Sequence, residues 1–350
     1  MTDDINNYAF TFKKEARYLA RSLGPNGNDV YFVETDAAQQ EDSNGDTPKV
    51  NPGRIIGKRR LFKSFKNISA AREAVISTYS KVSGALSSGD IPFDLKTKKA
   101  DGHIISMLKD EYSTGIFGEE KKPLMRLFTL YHETAHALIP GPEPDNEHPL
   151  SESAADAYAA LLFFQRFGND AGDFLSMVSW SRAFYAISGK TSHLTTTVLD
   201  KIIADSAHED FSKLTPAETI ERATAYAKEW TPEASVISAA RPFFVQDKGI
   251  NIALLAKTCL ASPSNDFAFY IGAKLFQPFL QPEGVEFNGK AMQLTDGARQ
   301  QFTDLIEKHA AHTSLSEIFN ATAKPEAEPP LTTLLKVSCP KNKKPFAVNL

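Results

Sequence analysis

The fold of this chain is decided by one stretch, Tyr131-His132-Glu133-Thr134-Ala135-His136-Ala137. Its two histidines are four residues apart, so on a helix both imidazoles project from one face and can share a metal ion. Glu133 lies about 100° further around the helix than His132. This offset places the carboxylate beside the metal, where it can take a proton from a metal-activated water. We therefore expect His132 and His136 to be metal ligands and Glu133 to be a general base.

The residues around this stretch predict two neighbouring helices. The first covers 123–139, where apolar residues surround the motif and Pro140-Gly141-Pro142 then stops the helix. The second covers 151–167, because Ser151 can act as its N-cap after a proline-rich loop. The loop over 140–150 is long enough to reverse the chain direction, so the two helices can lie side by side.

A tetrahedral catalytic zinc site needs a third protein ligand, and Glu152 is the leading candidate. Asp156 lies four residues further on, so its carboxylate shares the helix face of Glu152. Asp156 can then accept a hydrogen bond from the outer nitrogen of a ligand histidine and orient it. The donor set of histidine and carboxylate favours zinc among divalent ions. The loop before this helix offers alternative third ligands, namely Asp145, Glu147 and His148.

The order of these residues resembles the gluzincin metallopeptidases, the thermolysin-like clan of zinc enzymes. The resemblance is carried by His132-Glu133-x-x-His136 followed by Glu152-x-x-x-Asp156, within residues 123–167. It implies a zincin-like fold and the hydrolysis of peptide bonds, and it does not identify a family within the clan. By position it implies that the zinc ligands are His132, His136 and Glu152. It also implies that Glu133 is the base and that Asp156 orients a ligand.

Hydrolysis also needs a hydrogen-bond donor for the oxyanion of the tetrahedral intermediate. His193 lies near the start of a later predicted helix and could swing over the site. Tyr158 and Tyr185 are alternatives, and no motif selects among the three. We take His193 as the candidate second catalytic residue.

Bulk composition limits the classes of protein that this chain can be. Of its 350 residues 42% are hydrophobic and 23% charged, and the net charge is -4, as in ordinary globular proteins. The basic residues between Arg54 and Lys66 come without a recognition motif, so we expect a solvated face and no nucleic-acid partner. The most apolar stretch, 154–164, is too short to span a bilayer. We therefore predict a soluble protein without a membrane span.

Cysteine usage and the N-terminal residues bear on the location of the protein. Cys259 and Cys339 are far apart and form neither a disulfide framework nor a Cys-x-x-Cys site. Such sparse usage fits a reducing compartment. The N-terminus lacks a basic segment followed by an apolar one, so no classical signal peptide is expected, although export by another route stays open. We predict a cytoplasmic protein.

Patterning along the chain predicts an α+β, predominantly helical protein. Residues 1–121 are expected to form a small mixed α/β part with a flexible insert over 36–53. Residues 122–322 are expected to form a large helical zincin-like part, and 323–350 a poorly ordered tail. In the N-terminal part we place helices near 11–22 and 70–86 and strands near 29–34, 54–65 and 112–117. The segment 54–65 could instead be a basic arm. In the helical part the further helices lie near 170–187, 193–208, 215–230, 232–245, 250–260, 264–279 and 294–311.

Three functions are compatible with this pattern. The first is a zinc-dependent metallopeptidase that acts on a peptide or protein substrate, with an edge strand of the N-terminal part holding extended substrate. The second is a zinc-binding regulatory or interaction protein that keeps a peptidase-like site and does not cleave. The third is a latent peptidase that is blocked by its own tail.

Overall fold

The computed structural model describes residues 3–23, 30–35, 52–56, 90–95, 100–108, 118–139, 149–188, 191–243, 265–282, 284–287 and 290–310. This part of the chain is mostly helical. No helix within it is both long and apolar enough to cross a membrane. The helices are α1 (Phe12–Ser22), α2 (Lys122–Leu138), α3 (Leu150–Phe167), α4 (Ala171–Ser188), α5 (Thr196–Asp205), α6 (Pro216–Trp230), α7 (Ala234–Ala240), α8 (Asp266–Phe276) and α9 (Asp296–Ala310).

The helices predicted between residues 122 and 311 agree with the observed ones in number and order wherever the structure describes them. The largest difference in length is at α7, where the predicted helix over 232–245 shortens to Ala234–Ala240 and continues as a 3-10 turn over Arg241–Phe243. The helix expected over 250–260 lies outside the described residues.

Six short strands accompany the helices: β1 (Val30–Thr35), β2 (Pro52–Ile56), β3 (Asp90–Leu95), β4 (Ala100–Leu108), β5 (Val285–Phe287) and β6 (Lys290–Met292). The first four form a sheet in the order β2-β1-β4-β3, and β5 pairs with β6. β1 runs parallel to β4, with Phe32 opposite Ile105, while β2 and β3 run antiparallel to their neighbours. Of the predicted insert over 36–53, residues 36–51 lie outside the described residues and 52–53 belong to β2. The predicted segments 70–86 and 112–117 and the tail over 323–350 also lie outside the described residues. A separate N-terminal α/β part therefore stays a prediction.

Helix α3 lies at the centre of the helical part. It packs against α2, α4, α5 and α6. Residues on all sides of α3 are buried, including the five alanines between Ala154 and Ala160. Alanines at these positions let neighbouring helices approach closely, and a helix that is apolar all round belongs in a core. The site described below lies along this central helix.

Two helix starts show what local sequence can and cannot specify. At α6 the predicted start is confirmed, because Thr215 and Glu218 form a reciprocal capping box. At α3 the prediction of Ser151 as N-cap is wrong. The helix begins at Leu150 and the carbonyl of Pro149 accepts the first bond, from the amide of Ser153 at 2.7 Å. The hydroxyl of Ser151 lies instead 3.5 Å from Nδ1 of His136.

The N-terminal residues are tied to the end of α3 by a buried ion pair. Arg166 donates to both carboxylate oxygens of the fully buried Glu15 of α1. The same guanidinium donates to the hydroxyl of Tyr131 at 2.9 Å and to Asp3 at 2.8 Å. Through Arg166, the first helix therefore contacts the residue that precedes His132.

Candidate metal centre

Helices α2 and α3 bring three predicted ligands together. His132 and His136 lie one turn apart on α2, and their Nε2 atoms are 3.1 Å apart. Glu152, in the first turn of α3, places Oε2 at 3.2 Å from Nε2 of His132 and Oε1 at 3.5 Å from Nε2 of His136. One ligand atom from each of the three residues lies within 4.8 Å of the others. This group could therefore hold a metal ion.

The spacing and chemistry of the three donors fit a zinc ion. Ligand atoms about 2.0–2.1 Å from a tetrahedral zinc are about 3.3 Å apart. The three separations of 3.1, 3.2 and 3.5 Å lie on either side of that value. Two imidazoles and one carboxylate are also a donor set that zinc accepts readily. Among the residues that the structure describes, no fourth histidine, cysteine or acid joins the group.

Asp156 orients the first histidine from inside the helical core. Its Oδ1 lies 2.7 Å from Nδ1 of His132, which leaves Nε2 directed towards the other donors. The carboxylate is fully buried, and two further residues donate to it. Arg182 of α4 donates from Nε at 2.7 Å and from Nη2 at 2.8 Å, and the hydroxyl of Thr195 donates at 2.5 Å. Four hydrogen bonds from three elements therefore fix this carboxylate.

These contacts keep Asp156 ionised. Burial alone raises the pKa of Asp156, but the charges of Arg182 and His132 and their hydrogen bonds outweigh it. The pKa of this carboxyl group therefore lies well below its ordinary value of 3.8. Burial likewise lowers the pKa of the Arg182 guanidinium, and the charge of Asp156 more than reverses that effect. A hydrogen-bond acceptor is thus always present behind His132.

The two histidines differ in charge in the metal-free protein. Burial alone lowers the pKa of His132, but the charge and hydrogen bond of Asp156, together with Glu152, raise it to about 10. Burial and the positive charge of His132 lower the pKa of His136 to about 4. Burial raises the pKa of Glu152, and hydrogen bonds from His132 and His193 bring it well below its ordinary value. At neutral pH a metal therefore has to displace one proton, from His132.

This arrangement can be set beside known proteins. No protein-family model, curated protein or solved structure matches the chain. The resemblance to the gluzincins therefore rests on the motif residues of α2 and α3.

Two predicted catalytic residues remain, Glu133 and His193. Glu133 is buried in α2, next to His132 in the sequence. His193 ends a 3-10 turn over Thr191–His193, and its Nδ1 lies 2.9 Å from Oε2 of Glu152. The ring of Tyr185 lies against that of His193, with centroids 5.1 Å apart. His193 therefore contacts a candidate ligand through its carboxylate, and its role as an oxyanion donor stays a prediction.

Tyr158, the other alternative donor, lies in the core. Its side chain is almost fully buried in α3, and burial raises its pKa well above the ordinary value of 10 in surroundings that include Tyr131. Among the described contacts, the Tyr158 hydroxyl bonds neither Glu152 nor Asp156. Of the two tyrosines, Tyr185 is the one that contacts a residue of the site.

Sequence reasoning missed two residues that complete the site, Arg182 and Thr195. The available signal for Arg182 was the single cation in the mostly apolar helix α4, because such a charge is buried only with a partner. Thr195 precedes α5 as its N-cap, yet its side chain makes no capping bond. Its hydroxyl donates to Asp156 instead. Which acid receives these two donors depends on helix packing, which no spacing in the sequence reveals.

Proposed function

We propose that this chain is a zinc-dependent metallopeptidase that hydrolyses peptide bonds with Glu133 as general base. The observation that carries the proposal is the convergence of His132, His136 and Glu152 at separations suited to one zinc ion. The orientation of His132 by a buried carboxylate supports it further, because ligand histidines usually make such a bond. The zincin-like fold and a cytoplasmic location belong to the same proposal.

Each residue then has a task in the reaction. Zinc, when bound by the three ligands, lowers the pKa of a water molecule and polarises the carbonyl to be cleaved. Glu133 takes the proton of the attacking water and passes it to the leaving amine. Asp156 holds His132 with Nε2 directed towards the other donors, and Arg182 keeps Asp156 ionised.

Three protein donors among the described residues suit a catalytic site, and the alternative ligands Asp145, Glu147 and His148 lie outside those residues. Structural zinc sites have four protein ligands, whereas catalytic sites have three and keep one position for water or substrate. The group in the described residues has three. His193 contacts Glu152 but does not belong to that group, so it does not have the position of a fourth ligand.

One edge of the described sheet lies near α2 and suits an extended substrate. Within the described strands β3 pairs with β4 alone, and β3 contacts α2. The outer edge of such a strand can form main-chain hydrogen bonds with an extended peptide. This placement supports a peptide or protein as the substrate class.

The test compares the wild type with Glu133→Gln and with Glu229→Gln, an identical change at an exposed position of α6. Zinc content is measured by atomic absorption, and turnover with an unstructured protein and a fluorogenic peptide library. We expect all three proteins to bind zinc. We expect Glu133→Gln alone to lose activity, by roughly 10²–10⁴-fold, the usual contribution of a general base.

Two results would contradict the proposal in different ways. Equal turnover by Glu133→Gln and wild type would remove Glu133 as the base. Stoichiometric zinc without turnover of any substrate by the wild type would favour the zinc-binding regulatory protein instead. A gain of activity on deletion of 323–350 would point to a latent peptidase.

A further inference from the structure

A second buried polar cluster lies deeper in the helical part, and the proposed reaction does not use it. Asp200 is 1% exposed and Lys274 is 0% exposed, and Nζ of Lys274 lies 2.6 Å from Oδ1 of Asp200. The hydroxyl of Ser179 lies 2.6 Å from the same oxygen. The hydroxyl of Tyr270 donates to Oδ2. One carboxylate therefore joins α5 to α4 and α8.

The cluster lies one helical turn from the residues that hold Asp156. Ser179 lies three residues before Arg182 on α4, so the two share a helix face. On α5, Asp200 lies four residues after Thr196, which directly follows Thr195. The hydroxyl of Thr196 donates to the carbonyl of Ser179 at 3.2 Å, so the two helices are also bonded where they approach the site.

We propose that the Asp200–Lys274 pair is a positioning device for the metal centre, because it fixes α4 against α5 so that Arg182 and Thr195 both reach Asp156. The path has four steps, each made by hydrogen bonds: Lys274 to Asp200, Asp200 to Ser179, α4 and α5 to Asp156, and Asp156 to His132. The inference rests on the proposed function in one respect, that the centre binds zinc.

The choice of an ion pair at this place supports a positioning role over a purely stabilising one. Apolar residues of similar volume often stabilise a core as well as a buried ion pair does or better. Hydrogen bonds to a carboxylate are directional, and Asp200 accepts them from α4 and α8 while belonging to α5. Burial and Asp200 both raise the pKa of Tyr270, so its hydroxyl stays protonated and keeps donating. The cluster thus specifies how three helices meet.

The experiment replaces the pair and leaves the site residues unchanged. Asp200→Asn with Lys274→Met removes both charges together, so that no unpaired charge stays buried. Tyr270→Phe removes one donor and is the milder variant. Asp205→Asn is the matched control, because Asp205 lies on the same helix but accepts from Tyr226 and Lys201 at its other end.

Three quantities are measured for each protein. They are the zinc dissociation constant, the visible spectrum of the Co²⁺ form, and, without metal, the proton resonance of the His132 Nδ1–H that bonds Asp156. Urea unfolding without metal gives stability separately. We expect the double variant to weaken zinc binding about 10-fold, the lower end of the effect of residues that orient ligands. The Co²⁺ spectrum and the His132 resonance should shift with it.

The control defines what would overturn the proposal. Asp205→Asn should change the zinc dissociation constant less than about 2-fold, with unshifted spectra, even if its stability falls. Unchanged zinc binding and an unshifted His132 resonance in the double variant and in Tyr270→Phe would refute the positioning role. Zinc binding by the wild type without turnover would refute the peptidase proposal alone. If the wild type bound no zinc, the His132 resonance of the metal-free protein would still decide the inference.

Discussion

The ion pair between Arg182 and Asp156 allows a sharp test of how the site is held together. Arg182→Met keeps most of the length and apolar surface of the side chain but removes its charge and its two hydrogen bonds. The Arg182 side chain is 17% exposed and the Asp156 side chain is fully buried, so water cannot readily replace the lost donors. His132 and Thr195 still donate to the carboxylate.

The expected loss follows from the two bonds. A hydrogen bond to a charged group contributes about 1.5–3 kcal/mol to stability, and removing one partner of a buried ion pair costs about 3–5 kcal/mol. The bonds at 2.7 and 2.8 Å therefore predict a loss of about 3–5 kcal/mol in the free energy of unfolding. The remaining donors place the result towards the lower end. Zinc affinity should also fall by about 10–100-fold, since His132 is oriented less well.

The pH dependence of unfolding is an independent test of the Arg182–Asp156 ion pair. The folded-state pKa of Asp156 is lowered, so its contribution to stability is present above the ordinary pKa of 3.8 and is lost as the pH falls through the folded value. Without Arg182 the folded pKa rises, because the largest charge that lowers it is gone. Acid unfolding of Arg182→Met should therefore begin at a higher pH than that of the wild type.

Urea unfolding with a chelator present measures the effect without metal. The control is Arg222→Met, which removes an ion pair with Glu209 in which both side chains are about two-fifths exposed, 41% and 42%. Exposed pairs contribute at most about 1 kcal/mol, so this variant should unfold almost as the wild type does. If Arg182→Met lost no more free energy of unfolding than Arg222→Met, the stabilising role assigned to the bonds between Arg182 and Asp156 would be wrong.

Three further outcomes follow from the site and the helix ends. Zinc binding at pH 6 should release about one proton per site, because the pKa is about 10 for His132 and about 4 for His136 and a zinc-bound water is still mostly un-ionised at that pH; calorimetry in buffers of different ionisation enthalpy measures this, and release of none contradicts it. Zinc at about 100 times its dissociation constant should stabilise the fold by about 2.7 kcal/mol, and a chelator should reverse the rise in melting temperature. Thr215→Ala should cost about 1 kcal/mol in urea unfolding through loss of the capping box, whereas Thr224→Ala, in the middle of the same helix, should not destabilise it comparably.

The helices and the candidate ligands could be anticipated because their signals are local. Apolar spacing and helix caps act within a few residues, so helices such as α2, α3 and α6 lie close to their predicted bounds. His132 and His136 face one way for the same reason. The roles of Glu152 and Asp156 required one further assumption, that α3 packs against α2. A loop long enough to reverse the chain direction made that assumption reasonable.

The residues that hold the site from behind could not be anticipated, because their partners are set by tertiary packing. Arg182 and Thr195 are 26 and 39 residues from Asp156 in sequence. Lys274 is 74 residues from Asp200. For Arg182 and Lys274 the sequence does show a single cation in a mostly apolar helix, which predicts that a partner exists without indicating which residue it is. Thr195 gives no such signal.

The anchoring of Arg166 has a practical consequence for shortened versions of this protein. A chain that starts at Lys122 would retain the motif and lose Glu15, leaving a guanidinium without its carboxylate beside the ring of Tyr131. Such a fragment would lose zinc binding through damage at the opposite end of α3 from Glu152. Inactivity of an excised helical fragment would therefore say nothing against the metal ligands, and measurements of this site belong on the full-length chain.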